Sequence, residues 1–185
     1  LELIIFNTNN ERLRYYLEFN RYNEAFDLIP ILENGLELFD DDLPIFHKLV
    51  FYTNISITYI LNQKPRIAQE WNSKILNERR VKVRRDLIFL AKTLEIIIFY
   101  ELSELNLLVY RLDSYSRFGT GSVVYRKFAK KFTGCMRVLV SSKEEWEKEI
   151  ALKEFKSKLE VKSALNISGK ESILNWVNLQ LSSSL

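Results

Sequence analysis

The chain has 185 residues, 47% hydrophobic and 13% aromatic, enough for a domain with a real core and too apolar for a disordered chain. Five Gly and three Pro are few breakers, which favours long helices over many short strands, and the single cysteine, Cys135, excludes an internal disulfide. The net charge of +3 is uneven: residues 1–42 carry 3 basic and 10 acidic groups, residues 43–142 carry 17 and 7, and residues 143–185 carry 7 and 7. That spread suits an acidic partner steered to the middle of the chain, or simply opposite ends of a helical stack that face each other or face water.

Asn9 or Asn10 is placed to cap a first helix ending near Phe19, and LELIIF before it suits the end of a helix whose start precedes Leu1. After a turn at Asn20-Arg21, a second helix carries Tyr22, Ala25, Phe26, Ile29, Leu32 and Leu36 at helical spacing, with Pro30 expected to bend it. Asp40, Asp41 and Asp42 close the pair and put acid ahead of the next helix dipole. Leu43 to Leu61 reads as a helix with Pro44 in its first turn, apolar on most sides and so expected between neighbours. Asn62-Gln63-Lys64 turns the chain into a helix from Pro65 to about Glu78.

Lys82 to Glu101 reads as a helix, although its three consecutive isoleucines suit a buried strand equally well. Ser103 is placed to cap a shorter helix to Phe118. Gly119-Thr120-Gly121-Ser122 is the clearest break, with Ser122 as the cap of a helix over Val123–Val140. Ser141 or Ser142 followed by Glu144 and Glu145 opens a charged helix from Lys143 to Val161. After a loop at Asn166-Ile167-Ser168-Gly169, an amphipathic helix over 170–182 is expected to close the end.

Two stretches repeat. Tyr16 and Ala25 are nine residues apart, as are Tyr59 and Ala68, and the copies lie 43 residues apart; a third starts at Tyr100 with Val109 in the alanine place. One helical hairpin cannot bury its apolar face alone, so such units stack, and a small residue lets two helices approach closely. Units of about 9–39, 43–78, 82–118 and 122–161 are expected within one domain spanning 1–185.

With an aromatic late in one helix and an alanine nine residues on, at Tyr16/Ala25 and Tyr59/Ala68, the chain resembles the tetratricopeptide-repeat superfamily, with a period longer than that family's roughly 34 residues. The resemblance implies an all-α, right-handed superhelix of stacked antiparallel hairpins that holds a protein or peptide on its concave face. The corresponding groove is expected along helices 43–61, 82–101 and 123–140.

Two basic clusters are candidate partner-binding sites. Arg79, Arg80, Lys82, Arg84 and Arg85 lie within seven residues; Arg126, Lys127, Lys130, Lys131 and Arg137 fall on neighbouring stripes of one helix, with Tyr125 and Phe128 interleaved. For each, a solvated surface is the preferred reading, because charge runs are usually surface. The Gly119–Ser122 turn lacks Walker spacing, so a plain turn is preferred to a phosphate cradle. His47 has no nucleophile or carboxylate at a helical neighbour position, Cys135 has no second thiol, and Glu144/Glu145 sit on a solvated helix, so no catalytic, metal or cofactor site is expected.

The longest apolar run, Leu94–Tyr100, contains Glu95 and is flanked by Lys92 and Glu101, so no membrane span is expected. No secretory leader pattern is visible, and a cytoplasmic location is expected. The leading function is a non-catalytic scaffold for an acidic protein or peptide, with a second copy of the chain, as a homodimer, among the helices that suit an apolar inner face. A ligand-sensing domain of a peptide-responsive transcriptional regulator is the first alternative. Nucleic-acid binding through the basic patches comes after it, because neither a strongly basic domain nor a known motif is present.

Overall fold

Asn9 and Asn10, expected to cap the first helix, lie inside it. The computed structural model describes residues 2–78, 84–118, 122–161 and 167–183, and α1 runs over Glu2–Glu18. The helix reaches back because Phe6 is a further apolar anchor: it is buried with Leu13 and Leu17 and stacks on Phe51 at 4.4 Å between ring centroids. Asn10 Oδ1 accepts a hydrogen bond from Asn54 Nδ2 at 2.9 Å, which removes the penalty of a buried amide.

Pro30 divides its helix instead of bending it. α2 covers Tyr22–Asp27 and α3 covers Ile29–Leu38, with Leu28 between them and Pro30 in the first turn of α3, where a missing N–H costs little. Then follow α4 (Ile45–Leu61), α5 (Pro65–Leu76), α6 (Arg85–Glu101), α7 (Leu105–Phe118), α8 (Val123–Ser141), α9 (Glu145–Glu160) and α10 (Lys170–Ser183). The isoleucine run is helical and no strand occurs among the described residues. None of the described helices is long and apolar enough to cross a membrane.

Three of the connections are one and the same turn. α1–α2, α4–α5 and α6–α7 are each joined by three residues, and the middle one, Asn20, Gln63 or Ser103, has φ of 59°, 56° and 57°. The next N–H bonds back to the carbonyl five residues earlier: Arg21 to Tyr16 at 2.8 Å, Lys64 to Tyr59 at 2.9 Å and Glu104 to Phe99 at 2.9 Å. This is the Schellman termination, in which a left-handed residue lets two orphan carbonyls be satisfied. Ser103, read from sequence as the cap of α7, is therefore the residue that ends α6.

The turn also corrects the third repeat by one position. Phe99 and Leu108, not Tyr100 and Val109, stand where Tyr16/Ala25 and Tyr59/Ala68 stand. Ala25, Ala68 and Leu108 are each wholly buried, whereas Val109 is 49% exposed. The serine or aliphatic residue three before the aromatic, Leu13, Ser56 or Ile96, is buried in every copy. Ser56 Oγ donates to the Ala68 carbonyl at 3.1 Å, so α4 and α5 meet closely at that alanine. The α8–α9 link is different: Ser142 is extended (φ −77°, ψ 137°), and its hydroxyl accepts the Glu144 N–H at 3.1 Å. Ser122 occupies the N-cap of α8 with an extended backbone but makes no side-chain cap bond.

The helices gather into two compact units, Leu1–Ala91 and Lys92–Leu185. In the first, α4 is the central element; every residue from Thr53 to Leu61 is buried, in keeping with its all-round apolar sequence. Its buried hydroxyls turn inward, Thr53 Oγ1 to the Leu49 carbonyl and Thr58 Oγ1 to that of Asn54. Gly35 on α3 lies against the Phe6 ring of α1, so that a methyl group there would meet the ring. In the second unit, Phe128, Phe132 and Phe155 form an aromatic core between α8 and α9. α10 packs on α9, and its Trp176 is 2% exposed.

Gly35→Ala is expected to destabilise the fold by about 1–3 kcal/mol despite the better helix propensity of alanine, because Phe6 is held by Phe51. Gln63→Gly is expected to stabilise by about 0.5–1 kcal/mol through relief of the left-handed backbone. Urea unfolding followed by far-UV circular dichroism reads both; a stabilised Gly35→Ala variant would contradict the α1–α3 contact.

Candidate functional site

Of the first basic cluster, Arg79, Arg80 and Lys82 lie outside the described residues. Arg84 grips Asp86 with two parallel bonds, both 2.9 Å, from Nε and Nη2 to the two carboxylate oxygens. Charge-assisted forks of this kind are strong, and the Arg84 bond is the main reason the Asp86 carboxyl lies below its ordinary range. The pair also resolves an oddity of the sequence, cations at a helix start: Asp86 supplies the acid that the first turn of α6 favours. Arg85 is exposed at the first residue of α6.

The second cluster is a true helix face. Arg126, Lys127, Lys130, Lys131 and Arg137 are all exposed on α8, whose opposite side buries Phe128, Phe132, Met136 and Leu139. Phe128 thus belongs to the core and not, as its place in the sequence suggests, among the basic groups. Arg137 Nη2 lies 3.0 Å from Asp113 Oδ1 on α7, with both side chains well exposed. Lys130 and Lys131 rim a shallow cleft of about 260 Å³ together with Lys158 and Glu154 of α9. Gly134 borders it, and a methyl group there would touch nothing within 4 Å, so the helix surface is open at that point.

A larger concavity, not singled out in the sequence, lies in the first unit. It has a volume of about 570 Å³ and is framed by α3, α4 and α5. Its aromatic wall is Tyr52, Tyr59 and Trp71, with the Tyr52 and Trp71 rings 5.5 Å apart. Its acidic rim is Glu33, Glu37, Asp40 and Glu70. Tyr59 Oη donates to Glu33 Oε1 at 2.8 Å; burial first, and then this bond, holds the phenol proton well above its usual range. Asp40 takes the Lys48 ammonium at 2.6 Å. One cation of the groove is built in: Lys74 Nζ stands 3.6 Å from the centre of the Trp71 ring and 5.4 Å from that of Tyr52. The signal in the sequence was the acid-rich first 42 residues together with Glu33/Glu37 and Glu70/Lys74 at four-residue spacing.

Cys135 and Glu101 belong to the packing. Burial pushes the Cys135 thiol up to about 12, so it stays protonated and unreactive, and its Sγ donates to the Ala151 carbonyl at 3.5 Å. His47 is exposed on α4. Among the described residues no three His, Cys, Asp or Glu side chains gather to hold a metal ion. Glu101, at the end of α6, accepts bonds from Trp176 Nε1 at 2.6 Å and Gln180 Nε2 at 2.7 Å, yet its carboxyl is raised because burial outweighs both.

A raised carboxyl in the native state binds its proton more tightly than the unfolded chain does. Its stabilising contribution is complete below the ordinary carboxylate range and is lost as pH rises through the folded value. Glu101→Gln, which keeps an acceptor for Trp176, is therefore expected to remove part of the fall in stability above roughly pH 4.3, as read by thermal melts across pH. An unchanged profile would show that Glu101 titrates as if in water. Compared with protein-family models, with curated proteins and with solved structures, the chain matches none of them.

Proposed function

We propose that the protein is a non-catalytic interaction module built of divergent tetratricopeptide-like helical hairpins, and that it binds an acidic segment of another protein on the exposed face of α8. The repeat part of this reading is supported by the recurring reversal turn, with an aromatic at 16, 59 and 99 and a buried residue nine places later. The single observation that carries the partner chemistry is the sidedness of α8. Arg126, Lys127, Lys130 and Lys131 crowd one exposed face, and no acidic residue occurs anywhere in the helix.

Like charges at four-residue spacing, here 126/130 and 127/131, each cost a helix about 0.2–0.5 kcal/mol. The core side of α8 is filled by aromatics, and the cations lie outside it. A carboxylate-rich partner removes the repulsion, and the cleft beside Gly134 leaves room for an apolar side chain next to the charged contacts.

A dye-labelled oligoglutamate peptide followed by fluorescence anisotropy is the probe. It is expected to bind at low salt and to lose about tenfold in affinity when Lys130 and Lys131 are both changed to Glu. Because both side chains are exposed, the melting temperature of that variant should hold. Equal binding by the variant would overturn the reading. Tighter binding of a random oligonucleotide, falling steeply with salt, would replace it with nucleic-acid recognition.

A further inference from the structure

We propose that the groove between α3, α4 and α5 is a second docking site, one that seats a lysine side chain of a basic partner segment on Trp71 and Tyr52, where Lys74 now stands as its intramolecular competitor. The chemistry is written in two independent features of the groove. Its wall is aromatic: Trp71 and Tyr52 are half-buried with their rings 5.5 Å apart and tilted at 46°, which fixes the two faces without stacking them closed. Ring faces carry negative charge and attract ammonium groups, tryptophan best of all. Lys74 demonstrates the fit, with its Nζ only 3.6 Å from the Trp71 ring centre.

The second feature is the rim. Glu37 and Glu70 are exposed on the groove, Glu33 is partly buried and fixed by the Tyr59 hydroxyl, and Asp40 is paired with Lys48. Among the described residues lining the groove, Lys74 is the one cation, and it faces four carboxylates there. Lys74 is itself exposed on a flexible stem, so an incoming lysine can displace it into water at little cost. An acidic or purely apolar segment meets repulsion or unpaired carboxylates in the same place. The groove volume of about 570 Å³ accommodates the whole lysine side chain and part of its backbone.

This site shares no residue with the α8 face, and its test uses the opposite probe, so the two readings stand or fall separately. A dye-labelled oligolysine peptide is titrated into the protein, with its fully Nε-acetylated form alongside. Lys74→Met is expected to tighten binding about three- to fivefold by removing the competitor. Glu37→Gln with Glu70→Gln is expected to weaken it about tenfold, as is Trp71→Ala, and the acetylated peptide is expected not to bind. Glu37 and Glu70 are exposed, so the carboxamide variant keeps its fold and serves as the test even where Trp71→Ala does not. Unchanged affinity in the carboxamide variant, equal binding of the acetylated peptide, or no gain from Lys74→Met would each overturn the proposal.

Discussion

The reversal turn at Asn20, Gln63 and Ser103 is the constraint on which most of the structure depends. A helix that ends must satisfy its last carbonyls, and a left-handed residue lets the following N–H groups do so at once. None of the three is glycine, so Gln63 and Ser103 each carry roughly 1–2 kcal/mol of backbone cost, and Asn20 less. That cost is offset by what the turn fixes. It sets an aromatic at the last turn of one helix and a wholly buried residue nine places on in the next. At Ala68 the result is an approach close enough for Ser56 to hydrogen-bond the alanine's own carbonyl.

The same closeness explains the polar groups at the centre of the first unit. α4 is buried throughout from Thr53 to Leu61, yet it carries Thr53, Asn54, Ser56 and Thr58 there. Each finds a partner without leaving the helix or by crossing to one neighbour, as Asn54 does to Asn10. A buried polar group left unmatched costs about 1–3 kcal/mol, so these bonds also specify which helices lie against α4. Gly35 works in the opposite sense, by the absence of a side chain where the Phe6 ring must fit.

The charge separation along the chain has a local meaning in each unit. The acidic N-terminal part supplies Glu33, Glu37 and Asp40 to an aromatic groove, and the basic middle supplies the exposed face of α8. The two surfaces carry opposite charge. Arg84, by contrast, shows how a cation within a basic run can be wholly local in purpose, since its fork is closed by Asp86 two residues away.

Periodicity and breakers alone determined that the chain is helical, where most helices run, and that Tyr16/Ala25 and Tyr59/Ala68 recur, because these follow from spacing along one chain. Sidedness was legible in part: the cations of α8 fall on neighbouring stripes, but Phe128, interleaved with them along the sequence, belongs to the core. The register of the third hairpin was not, since Tyr100 and Val109 match the pattern as letters while the turn bond selects Phe99 and Leu108. Nor was the start of α1, where Phe6 gains its anchor from distant residues, stacking on Phe51, 45 positions away, and packing against Phe39 and Gly35. The groove is the clearest case, because Glu33, Tyr52 and Trp71 come from three helices and become one site only when those helices pack. Spacing within a helix is set by local geometry and can be read from letters, whereas contacts between helices are set by the shapes of the faces that meet, which only the packed structure decides.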